Sequence, residues 1–320
     1  MTLRIIHPGL FTTIQDPGRE GRRGWGVPQR GAFDRHAHSL ANALVGNPPE
    51  CSTLELTGVG GEFESETTLA LGFAGATMLV EVGLRNEANF GRGLLGIDRT
   101  LEIQKTCGSF TLRPGERLRI GPAVAGFRAY LAVAEGWTSP APSERRLEIG
   151  ERVEARASQI PQRWLTDSLA ESSWVRIIDG PDLEGLPPIA WRDLTFRVSP
   201  QSNRMALRLE GSVIDFPTNP NRMSAPVLVG SIQLAGKSLL VLGVAGGTMG
   251  GYPHIGQVIS ADLDLLGQLP SGSQVRFLPV EVGEARSIDR QRRDTQSSRL
   301  AQVRALALDG RILLGLELVR

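Results

Sequence analysis

The stretch AGGTMGGYPHIGQVISADL, residues 245–263, holds the first candidate for chemistry. It holds five glycines, four of which lead to Tyr252, Pro253 and His254, and His254 is one of only four histidines in the chain. An imidazole that titrates near neutrality and is carried on a turn is suited to act as general acid or base. A surface histidine in a turn is the plain alternative. The densest polar stretch lies far upstream, in TTIQDPGREGRRGWGVPQRGAFD (12–34). There Gln15, Asp16 and Arg19 flank a Pro-Gly turn, where polar groups can converge on a ligand without joining a strand ladder. Arg19, Arg22, Arg23 and Arg30 could grip a carboxylate or phosphate bidentately, or simply be solvated.

Other chemistries find little support. His36 and His38 fall two apart on an expected helix, so their side chains diverge by roughly 200 degrees and no metal site is expected. The chain has no G-x-S-x-G nucleophile elbow and no G-x-x-x-x-G-K-[ST] phosphate loop, which points any ATP to a partner. Cys51 and Cys107 are the only cysteines, too few for a disulfide framework, and they fit a reducing compartment.

The elements that must carry these residues read as mainly β. LRII (3–6), LELT (54–57), TLALGFA (68–74), TMLVEVG (77–83), RLRI (117–120), FRAYLAVA (127–134), WVRII (174–178), SLLVLGV (238–244) and QVRFL (274–278) alternate or are rich in branched residues, and most are bounded by Gly or Pro. Helices are expected after Asp34, with Ala37, Leu40, Ala41 and Leu44 on one face, after Ser260, and before Gly310. A short fourth is expected over 160–172, and a last apolar strand over 312–319. That strand could pair with a partner's sheet edge. Asp34 is placed as a helix cap and Asp262 in a first helical turn, structural positions for both. The pattern L-x-L-G-x-A-G-x-T occurs at 69–77 and again at 240–248, each followed by a Gly-centred turn into a strand, which reads as a duplicated β unit.

A chain of 320 residues exceeds the usual single domain, so two are expected, joined through the Pro-rich stretch at 138–162. The domains are drawn at 1–150 and 151–285, with a helix-strand extension at 286–320. Thirty-five Lys plus Arg against 34 Asp plus Glu leave a net charge of +1, no electrostatic case for nucleic acid or an anionic membrane. No apolar run approaches the length of a membrane span and the N-terminus does not read as a signal peptide, so a cytoplasmic location is expected.

The stretch GLFTTIQDPGREGRRGWGVPQRGAFDRHAHSLANALVGNP (9–48), with LELTGVGG, FRAYLAVAEG (127–136), NRMALRLEG (203–211) and GGYPHIGQVISADLDLLGQLPSGSQVRF (250–277), closely resembles the biotin-dependent carboxyltransferase, or allophanate hydrolase subunit 2, family. That family includes the C-type subunit of 5-oxoprolinase, the sporulation protein KipA and the carboxyltransferase part of urea carboxylase. The resemblance implies two cyclophilin-like β-barrel domains in tandem. It also implies ATP-dependent amide or ureido chemistry beside a KipI-like, allophanate hydrolase subunit 1-like partner. That chemistry is either hydrolysis of 5-oxoproline, with a protein like the A-type subunit of 5-oxoprolinase, or carboxyl transfer from biotin. On this resemblance Gln15, Asp16, Arg19, Arg204, Tyr252 and His254 are expected to line an inter-domain cleft. His254 is its acid/base and Tyr252 stands beside it; Arg19 and Arg204 are carboxylate or oxyanion partners. The chain departs from the family where a polar Asp-Arg-Gln-like run is usual: it has Ala245, Gly246 and Gly247, then Met249 for a Thr and His254 for a Lys. That leaves a non-catalytic, KipA-like regulatory subunit as the rival reading.

Overall fold

The computed structural model describes residues 2–84, 103–138, 145–165, 173–185, 193–211, 222–310 and 312–313. The chain forms two compact units: Met1–Pro17, Arg35–Leu169 and Ser297–Arg320 make the first, Gly18–Asp34 and Ala170–Gln296 the second. The division differs from the sequence boundaries at both ends. Residues 18–34 leave the first unit to join the second, and the expected break at 285 falls inside a helix.

In the first unit, β1 (Thr2–His7), β2 (Phe11–Gln15), α1 (Arg35–Ala43), β3 (Thr53–Thr57), β4 (Glu62–Ser65), β5 (Leu69–Leu84), β6 (Ile103–Leu112), β7 (Glu116–Val133), β8 (Arg152–Glu154), β9 (Ser158–Gln159) and β10 (Arg163–Trp164) follow in order. Nine of these strands form one sheet along the path β10-β6-β5-β7-β4-β1-β8, with β3 pairing both β2 and β7. Alternation explains its sides. Leu54 and Leu56 of β3 enter the apolar core with Leu3, Ile5, Phe73 and Leu131, so Thr53, Glu55 and Thr57 turn to the opposite face. The two expected strands at 68–74 and 77–83 are one, because register shifts between Ala74 and Met78 let β5 continue past Gly75, whose φ of +112° suits glycine. The same holds for 117–120 and 127–134, which merge in β7.

The helix expected over 160–172 does not begin there. Arg163 and Trp164 pair with Ser109 and Gly108, the Trp164 ring stacks on Phe110 at 6.1 Å and 17°, and a Cβ on Gly108 would lie 2.2 Å from that ring. Residues 166–172 lie outside the described residues.

The second unit contains β11 (Trp174–Asp179), β12 (Phe196–Val198), β13 (Ala206–Glu210), β14 (Ala225–Pro226), β15 (Ser231–Ala235), β16 (Ser238–Leu242), β17 (Met249–Gly250), β18 (His254–Val258), α2 (Leu263–Gly267), β19 (Gln274–Pro279) and the start of α3 (Val282–Gly310). Seven strands close into a barrel, β11-β18-β15-β16-β13-β12-β19, and a parallel β11–β19 pair completes the ring. Closure leaves no free barrel edge. Its filling includes Val175, Ile177, Phe196, Ile232 and Phe277, together with Phe33 from the 18–34 segment. Gly243 must be small for this, since a Cβ there would lie 2.3 Å from the Arg204 carbonyl and 3.1 Å from the Phe33 ring. The echoed sequences occupy unlike places: β5 and β7 pair directly, whereas β16 and β19 are not neighbours in the barrel.

Asp262 has no capping bond at the start of α2. Its carboxylate instead accepts the Arg176 backbone N–H at 2.7 Å and Nε at 3.0 Å, with Nη2 at 2.5 Å. Asp34 directly precedes α1 and accepts from Gln268 Nε2 at 2.7 Å. After α3, β20 (Ile312–Leu313) pairs with β9 of the same chain; the rest of the expected last strand lies outside the described residues. Among the described residues no helix is long and apolar enough to cross a membrane.

Candidate functional site

His254 opens β18, opposite Gln233 of β15, at a register shift between Ile232 and Gln233. A bulge of this kind re-aims side chains. Gln233 is buried against Gly250: a Cβ there would lie 2.2 Å from its Nε2, which donates to the Tyr252 carbonyl at 3.4 Å. Gly250 therefore makes room for a side chain of the barrel wall. Tyr252 itself is half exposed.

On its other side the start of β18 is held by the turn that follows β11. The Asp182 N–H donates to the His254 carbonyl at 3.0 Å, and Asp182 Oδ2 accepts the His254 N–H at 2.7 Å. Arg222 grips the same carboxylate with Nη1 at 3.1 Å and Nη2 at 2.5 Å. Burial alone would raise the Asp182 pKa, but the His254 N–H and the Arg222 guanidinium more than offset it and hold the carboxyl below its usual range. Burial lowers the His254 pKa and the Arg222 charge adds to this, against a Gly256 backbone hydrogen bond and the Asp182 charge. The imidazole is therefore neutral at pH 7, the form that can take up a proton.

The Ala245–Gly247 stretch is governed by Arg23. Its guanidinium donates to the Val227 carbonyl at 3.1 Å and the Gly246 carbonyl at 3.3 Å, and also to the Gly247 carbonyl. Arg30 N–H donates to Val244 at 2.7 Å. This stretch thus presents backbone carbonyls to an arginine.

The remaining expected site residues are distributed over both units. Gln15, at the end of β2, is fully buried and donates to Thr13 Oγ1 at 2.9 Å. Asp16 is half-buried. In the second unit Arg19 is half-buried, its N–H bonded to the Gln29 carbonyl at 2.7 Å. Arg204 is 7% exposed and donates to the Gly31 carbonyl.

Three groups escaped the sequence reading. Asp182 and Arg222 are the first two. The third is a buried polar lane in the first unit, where Gln15 lies opposite Thr53. Glu55, fully buried, accepts from Tyr130 Oη at 2.8 Å and faces Arg128 Nε at 3.5 Å. Tyr130 meets the His38 ring edge-on at 6.1 Å. A charged residue alternating with leucines in LELT was the available signal for it. Among the described residues no group of three or more His, Cys, Asp or Glu could hold a metal ion.

Comparison with known proteins agrees with this architecture. The chain is 30% identical to the C-type subunit of 5-oxoprolinase from Escherichia coli over 309 residues, covering 88% of this chain and 93% of that protein. The corresponding protein of Haemophilus influenzae is 26% identical, over 87% of this chain and 91% of that one. The crystal structure of Kluyveromyces lactis urea carboxylase superposes with a TM-score of 0.78 at 21% identity, a likeness of fold, over 94% of this chain and 29% of that one. The family described as carboxyltransferase domain, subdomain A and B, matches residues 25–144 and 142–279. Its two subdomains thus account for most of the molecule, and the chain belongs to this carboxyltransferase family, the one it shares with the C-type 5-oxoprolinase subunits.

Proposed function

We propose that the chain is a subunit of an ATP-dependent 5-oxoprolinase, opening a cyclic amide together with a KipI-like partner and a protein like the enzyme's A-type subunit. The observation that carries this reading is the length of the likeness to the C-type subunit of 5-oxoprolinase, which runs along 93% of that protein. ATP belongs to a partner in this reading, and biotin enters only in the urea carboxylase-like alternative, with carboxyl transfer to a ureido substrate. The second unit is a cyclophilin-like barrel in this reading, for which its closed ring is the support, while the sheet of the first unit is open among the described residues. The two free cysteines suit a cytoplasmic complex.

His254 is the acid/base of this reading and Tyr252 its neighbour; the neutral imidazole supports the role. Purified with its KipI-like and A-type partners, the chain is expected to support ATP-dependent cleavage of 5-oxoproline, and His254→Ala to lower kcat by about 100-fold or more. Turnover unaffected by that change removes the acid/base role. A well-formed complex without turnover supports the second reading, a KipA-like regulatory subunit, which is favoured by Arg23 occupying the carbonyls of Gly246 and Gly247.

A further inference from the structure

The surface of the 18–34 segment is strongly basic. It carries Arg19, Arg22, Arg23 and Arg30 against one exposed acid, Glu20, since Asp34 is buried. None of the four arginines makes an ion pair among the described residues. The ground they dock on adds no negative charge, because residues 222–261 contain no Asp or Glu. Arg23 shows the result. Its guanidinium meets only the carbonyls of Val227, Gly246 and Gly247, and burial lowers its pKa with no acid to raise it. Arg30 is exposed at a φ of +54°, which few residues other than glycine adopt, and its N–H is pinned on the Val244 carbonyl. Like charges gathered in this way repel one another, so the fold holds them together against their own field.

Large apolar side chains stand exposed on the same ground. Trp25, in the turn Arg23–Trp25 where no residue is buried, is 81% exposed, and Met223 is 86% exposed. Leu228 follows Val227, Met249 pairs with Pro226 across the β14–β17 ribbon, and the Met205 carbonyl accepts the Gly243 N–H at 2.8 Å; all three side chains are exposed. The Arg23 bonds, with the Val227 N–H on the Thr248 carbonyl at 3.0 Å, tie these backbones into one patch. Apolar residues scattered singly need no explanation, but a cluster of them rimmed by charge marks an interaction surface. Tryptophan, methionine and arginine are enriched in protein interfaces. A membrane surface is met instead by the apolar face of an amphipathic helix, and this patch is built on a turn and a two-stranded ribbon.

We propose that this face of the second unit docks a protein partner whose surface offers an apolar socket to Trp25 within an acidic rim that pairs with Arg22 and Arg30. The charge decides the partner's sign. Acids opposite these arginines gain the pairing that the chain itself withholds, while a second copy of the same face is repelled. The socket supplies the affinity, as buried tryptophans do at the centres of interfaces. Arg23 is the positioning residue, since its bonds hold the turn that presents Trp25 against the ribbon that presents Met249. Taking the KipI-like subunit as the partner rests on the proposed function, while the chemistry of the face is read from its charges and exposure.

The test is a calorimetric titration of the full chain with its purified KipI-like partner at low and high salt. Trp25→Ser is expected to weaken binding at least about tenfold. Arg22→Glu combined with Arg30→Glu is expected to do the same at low salt and to flatten the salt dependence. Arg286→Glu combined with Arg290→Glu, an equal charge change at exposed positions of α3, is expected to leave the affinity unchanged. Arg30→Gly separates binding from folding: glycine adopts a φ of +54° readily, so thermal stability is kept while affinity falls. Unchanged affinity in Trp25→Ser or in the Arg22 and Arg30 pair, an equal loss in the α3 pair, or no complex with the partner overturns the proposal. Binding of the chain to phosphatidylglycerol vesicles that is lost in Trp25→Ser assigns the face to a membrane and overturns it as well. A complex that is sensitive to Trp25→Ser yet cleaves no 5-oxoproline with the A-type protein present leaves this face standing and removes the proposed function. A complex that cleaves it and is indifferent to the change does the reverse.

Discussion

Lowering the pH from 7 to 5 should weaken the first unit through His38. This side chain is 1% exposed, with Nδ1 2.9 Å from Thr53 Oγ1 and Nε2 3.1 Å from the Pro49 carbonyl. A carbonyl only accepts, so Nε2 carries the hydrogen and the threonine hydroxyl donates to Nδ1. Burial pushes the pKa down to about 4, against the opposing Pro49 bond and the charges of Glu55 and Asp16. In the unfolded chain it returns to near 6.5. Between those values the unfolded chain binds a proton that the folded chain does not. Stability is therefore complete above pH 6.5 and falls as the pH drops towards 4. At 1.36 kcal/mol per unit the whole gap is worth about 3 kcal/mol, of which about 2 kcal/mol is lost by pH 5. Urea denaturation at pH 7, 6 and 5 should show this loss in the parent chain and lack it in His38→Gln, where nothing titrates at that position. His254, also lowered, acts in the same sense but is common to both proteins and cancels in the comparison. Equal pH slopes for the two proteins would refute the reasoning.

Further substitutions probe the second unit. Gly243→Ala places a methyl 2.3 Å from the Arg204 carbonyl and against Phe33; it should cost about 1–3 kcal/mol and speed proteolysis within residues 19–30. Gly247→Ala, whose Cβ would meet nothing closer than 3.5 Å, is the near-neutral control. Asp262→Asn weakens three bonds to Arg176 and should lower stability by about 2–3 kcal/mol. A double-mutant cycle with Arg176→Ala, read by denaturation, should give a coupling of about 1 kcal/mol or more, and a value near zero would count against the pair.

What could be read from the sequence was what neighbouring residues decide. The strands at 3–6, 54–57, 174–178 and 274–278 announced themselves by alternation, and each is present. Trp164 read as helical because its reason to be extended, the flat face of Gly108, lies on another strand. The first half of α3, VGEARSIDRQRRDTQSS, has no apolar periodicity, so only its end near Leu300 and Val303 was visible. At the candidate site, a glycine turn and an imidazole were what singled out His254 in the sequence. Asp182 looked like one acid in an ordinary Asp-Gly-Pro-Asp turn, since its partners stand 40 and 72 residues away. Glu55 was hidden in the same way, its partner Tyr130 being 75 residues distant.

The transfer of residues 18–34 to the second unit sets a timetable for biosynthesis. These residues leave the ribosome early, yet the partners of Gly31 and Arg23 follow 173 to 224 residues later. At about 5–20 residues per second, that is a wait of roughly 10–40 s. Through that interval Phe33 and the arginines of this segment are a nascent loop without their docking surface, open to chaperones and proteases. Slowing translation over residues 170–250 would lengthen that exposure, so the yield of folded protein from this gene should respond to codon usage in a region far from the segment at risk.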